Sequence, residues 1–239
     1  MAQQRGCRDV PLQSGMWDTL AFYLPIATVG ASFALLAFRP TRGAMLWLLE
    51  EDHPIEAATA LLFFVAAAMA ASLTRILRKR TVAPWVRQFY RVFAILLFVV
   101  AMEEISWGQR LLGFETPAAF RAINGQGETT LHNVGVLQGR SEWIRLGFGV
   151  IGLAAIRLRA RPELSAIQVP SWLWPWFLTI AVHAAIDACN DIWTIEPRFD
   201  IAVNRTSEVI ELLISVVVVL YLRSNARRLS AEAWPAINQ

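Results

Sequence analysis

The side chains best placed to do chemistry in this sequence are carboxylates and histidines set inside long apolar runs. At 3.6 residues per turn, His183, Asp187, Asn190 and Asp191 point within about 100° of one another, one polar stripe on a helix. Glu103 and Glu104 share a side with Trp107 near the end of a second run, and Glu208, Glu211 and Ser215 form a stripe in a third. A charge near the bilayer centre costs about 2.5–3.5 kcal/mol even on a lenient insertion scale, so such groups must face a protein interior and find partners there. The stripes predict one outward-facing polar cavity, with Glu103 or Glu104 as general base and His132, His183, Asp187 and Glu211 as metal ligands. Glu128, Glu208, Asp191 and Glu56 are further candidates. Two histidines with carboxylates suit Zn2+ with an open position for an acidified water. The excess of carboxylates equally suits Mn2+, Fe2+ or Ca2+.

Plainer readings stand beside these. Arg110, Arg145, Arg198 and Arg205 can pair with the carboxylates in a purely structural network. Glu208 near a helix N-terminus is favoured by the helix dipole, and Glu56, two residues after Pro54, reads equally well as a helix start. His183 alone is a hydrogen-bonded core residue; with Asp187 one turn away it becomes an oriented imidazole. Trp107, Gly108 and Gln109 read as interface packing at the end of a span. A chain of intramembrane carboxylates is also an ion or proton pathway, though no inverted repeat accompanies it.

Residues 109–140 lie between apolar runs and are too rich in Leu and Phe for a disordered linker. Thr116-Pro117 predicts a short helix through Phe120 and Ile123, with Leu111, Leu112 and Phe114 dipping toward lipid. Asn124-Gly125-Gln126-Gly127 is a turn, and Glu128 and His132 come next, four apart. This segment is expected to fold back as a lid or re-entrant element.

The elements that must hold these groups are those of a membrane protein. Of 239 residues 56% are hydrophobic, against roughly 45–50% in soluble domains, 17% are charged, and mean hydropathy is +0.43. Disordered, collagen-like and disulfide-stapled chains are excluded, and so much apolar surface exceeds what a soluble core of this length encloses. Cys7 and Cys189 read as free thiols, and the polar first 16 residues lack the apolar stretch of a cleavable signal peptide. A span takes about 20 apolar residues, which predicts an all-α protein of six transmembrane helices at 18–38, 54–74, 89–108, 141–158, 171–192 and 205–222. Basic clusters at 75–87, 157–161 and 223–228 place both termini in the cytoplasm. Sorted this way, the inner side carries 14 basic and 4 acidic residues and the outer side 8 basic and 15 acidic, hidden within a net charge of +3.

The string Glu103-Glu104-Ile-Ser-Trp-Gly-Gln-Arg110, with Gln126-Gly-Glu128 and Leu131-His132-Asn133, resembles a set of bacterial polytopic membrane proteins without an established function, over roughly residues 100–135. A looser resemblance is to the CAAX-protease and bacteriocin-immunity group of intramembrane metalloproteases. Glu103-Glu104 stands for that family's Glu pair, Glu128-x-x-x-His132 for its Phe-x-x-x-His, and His183-x-x-x-Asp187 for its third motif. Arg110 comes six residues after Glu104 where that family has four, and Glu128 stands where it has Phe. The resemblance implies a metal-dependent hydrolase.

The expectation is therefore a multi-pass protein of the bacterial cytoplasmic membrane, a metal-dependent hydrolase acting on a lipid, a lipid-linked substrate or a membrane peptide. Its partners are membrane lipids, with no nucleic acid. The alternatives are a non-enzymatic subunit docked to other membrane subunits and a cation or proton transporter.

Overall fold

Prolines mark where the helices begin. A proline has no N–H to leave unpaired in the first turn, so it is favoured there, whereas Pro25 lies within a helix. The computed structural model describes residues 16–50, 53–78, 83–122, 129–130, 140–158, 161–193 and 197–231, and every regular element among them is helical. Helix α1 (Met16–Ala37) ends just ahead of Pro40, which lies in the first turn of α2 (Arg39–Leu48). Pro54 opens α3 (Pro54–Leu77) and Pro84 opens α4 (Pro84–Glu104). Two one-turn helices come next, α5 (Gln109–Leu112) and α6 (Ala118–Arg121), then α7 (Ser141–Arg157), α8 (Trp174–Trp193) and α9 (Pro197–Ala231).

The packing is inverted relative to a water-soluble protein. Leu61, Ile95 and Ile151 are 63%, 59% and 69% exposed, whereas Arg145 and Asp187 are 6% and 3% exposed. Apolar groups outside and charges inside is the arrangement a lipid solvent requires. Four helical stretches are long and apolar enough to cross a membrane: Pro54–Leu77, Pro84–Glu104, Ser171–Trp193 and Phe199–Ser230. They match the second, third, fifth and sixth expected spans. The first is represented by a shorter apolar helix, Phe22–Ala37. At the fourth, α7 has 17 residues, about 25 Å of rise against about 30 Å of hydrocarbon, and it carries Glu142 and Arg145 in its first turns. Helix α9 starts eight residues before the expected span, because Pro197 rather than the first apolar residue sets its start.

Helices α3, α4, α8 and α9 share the main core. Phe63, Ala66, Ala70 and Leu73 of α3 meet Tyr90 and Leu97 of α4, Trp176 and Ile180 of α8, and Ile210, Leu213 and Val217 of α9. The alanines on α3 recur at three- and four-residue spacing, so its neighbours approach closely. Helix α7 packs chiefly on α8. That contact has no room for a side chain at two glycines. A Cβ on Gly152 would lie 2.1 Å from the Phe177 ring, and one on Gly149 would lie 2.8 Å from the Ala181 backbone nitrogen. Close antiparallel packing with Gly152 opposite Phe177 and Gly149 opposite Ala181 brings Arg145 level with Asp187, one turn further along.

Candidate functional site

Helix α8 turns His183, Asp187 and Asn190 onto its buried face, while Asp191, about 80° round from His183, is exposed. The expected stripe thus loses Asp191 at its edge. Asp187 is met by Arg145 from α7, whose Nη2 donates to Oδ2 at 2.7 Å. The other amine of the same guanidinium, Nη1, donates to Glu211 Oε1 of α9 at 2.9 Å. One planar cation therefore ties three helices together, a geometry that a lysine could not reproduce. Arg145 Nε is buried with no hydrogen-bond partner among the described residues.

His183 is likewise engaged. Its Nε2 lies 2.8 Å from the hydroxyl of Thr206 on α9. That hydroxyl directs its only proton to the carbonyls of Ala202 at 2.8 Å and Val203 at 2.9 Å. With that proton on a helix carbonyl the hydroxyl accepts from the imidazole, the tautomer in which Nε2 carries the proton and Nδ1 bears the lone pair. Nδ1 is buried without a partner among the described residues, and the ring of Phe33 on α1 lies 6.3 Å away, centroid to centroid. Any ligation by His183 would pass through Nδ1.

On the other side of Glu211 lie further carboxylates. Glu104, at the last residue of α4, is under the electrostatic influence of Glu211, Glu208, Glu56 and Glu103. Carboxylates from α3, α4 and α9 thus gather at one end of the bundle. Glu103 accepts a hydrogen bond from Trp107 Nε1. This bond bridges a sharp reversal, since Ser106 and Trp107 have φ of 47° and 55°, and Gly108 has 76°. Two successive non-glycine residues in the left-handed region store backbone strain, typically about 1–3 kcal/mol each. The turn stops α4 at Glu104 and sends the chain outward into α5.

Gln109 then ties the outgoing segment together. Its Nε2 donates to Thr116 Oγ1 at 2.9 Å, and its Oε1 accepts from both the backbone N–H and the hydroxyl of Thr129, each at 2.9 Å. Helix α6 begins after Thr116-Pro117 as expected and lasts one turn to Arg121. Leu112 and Phe114 are exposed, the state expected of side chains that dip toward lipid. Glu128 and His132 lie outside the described residues.

The expected stripes on α4, α8 and α9 converge: Glu103, Glu104, Glu208, Glu211, Asp187 and His183 surround one end of the bundle, joined by Glu56. The grouping differs from the expected ligand set. Asp187 and Glu211 are held by Arg145, and among the described residues no three His, Cys, Asp or Glu side chains stand where they could share one metal ion. Sequence reasoning weighed Arg145 only as a counter-ion, read Gln109 as interface packing at a span end, and gave Thr206 no role. Arg145 had a legible signal, since an arginine one turn into an apolar segment must meet an acid. Thr206 had none, because a threonine in a helix normally satisfies itself on the preceding turn. No family model, curated protein or solved structure matches this chain.

Proposed function

We propose that this chain is a multi-pass protein of the bacterial cytoplasmic membrane, with six membrane-crossing helices and both termini inside, and that it is a metal-dependent hydrolase of lipid or lipid-linked substrates. The observation that carries this reading is the gathering of Glu56, Glu103, Glu208 and Glu211 around Glu104 within an otherwise apolar bundle. Like charges in a poorly solvated place are tolerated when protons or a cation offset them. Oxygen donors of this kind fit a hard divalent cation such as Mn2+ or Ca2+, with Zn2+ fitting only if His183 Nδ1 joins. Such a cation supplies Lewis acidity to a nucleophilic water. Glu103 or Glu104 would accept the proton of such a water, with Arg145 holding Asp187 and Glu211 in place. Coordination would draw on rotation of these side chains or on Glu128 and His132.

The test is thermal unfolding of chelator-washed, detergent-solubilised protein with and without Mn2+, Ca2+ or Zn2+. A cation should raise the midpoint of the wild type and leave Glu104→Gln unmoved, and hydrolysis of a bacterial lipid extract should show the same pattern. A wild type that binds no divalent ion and unfolds identically in chelator sinks this reading. The salt-linked Arg145 favours a second one, a non-enzymatic subunit in which these charges only lock the helices. Fixed-ratio co-purification with other membrane chains, unaffected by Glu104→Gln, would decide for it.

A further inference from the structure

Helix α2 is not among the expected spans and has no role in the site described above. It is ten residues long, about 15 Å, far too short to span, and it packs Met45 and the adjoining Leu49 against Leu36 of α1 and Val209 of α9. Val209 lies between Glu208 and Glu211, and Ile55, next to Glu56, packs on the same cluster. Helix α2 therefore lies against α1 and α9 at the level of the carboxylates along the bundle. Its outer face presents Arg39, Pro40, Gly43, Ala44 and Trp47. Phe38 and Trp47, 61% and 53% exposed, stand at its two ends with small residues between them. Aromatic rings flanking a helix with one packed apolar face are the mark of a helix lying in the membrane–water interface.

The two arginines of α2 run against their surroundings. Arg39 and Arg42, three residues apart and so side by side on the helix, form no ion pair with any described residue. Arg39 is exposed and Arg42 half-buried, at the level of carboxylates that would repel an anionic headgroup. We infer that α2 lies in the interface and that Arg39 and Arg42 together seat the phosphate of an anionic lipid headgroup. Two guanidinium groups flanked by exposed aromatic rings match a phosphate above the start of an acyl chain. The inference does not depend on a cation in the glutamate cluster.

The test uses the full chain in lipid nanodiscs. Gly43 is the place for a nitroxide label, because a Cβ there meets nothing within 4 Å; Cys7→Ser and Cys189→Ser remove the native thiols. The labelled Gly43→Cys protein should show the collision profile of the headgroup region, intermediate between those of a water-soluble nickel chelate and of oxygen. In parallel, native mass spectrometry should find phosphatidylglycerol retained over phosphatidylcholine. Retention should fall roughly ten- to thirtyfold in Arg39→Gln/Arg42→Gln and persist in Arg39→Lys/Arg42→Lys. Excess inorganic phosphate should not displace the lipid. A label as open to the nickel chelate as a soluble loop, unchanged retention in the Gln variant, or displacement by free phosphate overturns the inference. None of these readouts requires metal or activity, so they stand apart from the test of the hydrolase reading.

Discussion

Two charged regions share Glu211 and are built on opposite principles. Where α7, α8 and α9 meet, one guanidinium is divided between a buried Asp187 and a half-buried Glu211, with opposite charges in hydrogen-bonding contact. Where α3, α4 and α9 meet, five glutamates crowd together and the charges influencing Glu104 are negative. The first region gains from every charge remaining where it is. The second gains from losing one, to a proton, to a cation or to mutation. A protein that needed only to hold its helices together has a reason for the first arrangement and none for the second, which is why the functional reading rests on the glutamates and not on the salt bridge.

Mutations put this contrast to the test. The largest effect should come from Arg145→Ala, which leaves the buried Asp187 and the half-buried Glu211 without their cation. Chemical unfolding in detergent should show a loss of about 3–5 kcal/mol. Arg145→Lys should recover only part of it, because an ammonium cannot present two parallel donors to acids on different helices. Next comes Thr206→Val, which keeps the shape and removes the acceptor of the His183 N–H, for about 1–3 kcal/mol.

Gly152→Ala should cost a similar or smaller amount, about 1–3 kcal/mol from overpacking against Phe177. Because it forces α7 away from α8, coupling between Gly152→Ala and Asp187→Asn in a double-mutant cycle is expected, with the pair less harmful than the sum. Additive effects would mean that the helix spacing and the salt bridge are independent. The smallest effect, and the only one of opposite sign, belongs to Glu104→Gln. In chelator it should leave stability unchanged or raise it by up to about 1 kcal/mol, since it removes one like charge. A marked loss there would place Glu104 in the same structural class as Arg145 and erase the difference between the two regions.

Much of this was legible along the chain. His183, Asp187 and Asn190 recur at helical spacing in an apolar run, so their common face is a consequence of 3.6 residues per turn. The starts of α3 and α4 are set by Pro54 and Pro84. Helix α2 was hidden because Arg39-Pro-Thr-Arg-Gly43 breaks the apolar run with charges, a proline and a glycine, a composition that reads as a loop. The exposed position of Asp191 was hidden because a stripe has two edges, and only the packing of a neighbour shows which edge is covered.

The linear order of residues was enough to make this chain helical, to turn its apolar surface outward in the manner of a membrane protein, and to say which charges must turn inward. Those are consequences of local geometry and of solvent, and they need no knowledge of which helix lies beside which. That Arg145 belongs to Asp187 and Glu211, that His183 belongs to Thr206, and that Glu56 joins the acids of α4 and α9 came only with the packed bundle. These pairings connect residues 23 to 66 positions apart, or acids carried on three separate helices. Such partners are set by how closely glycine and alanine faces let the helices approach, and a linear pattern carries no record of that distance.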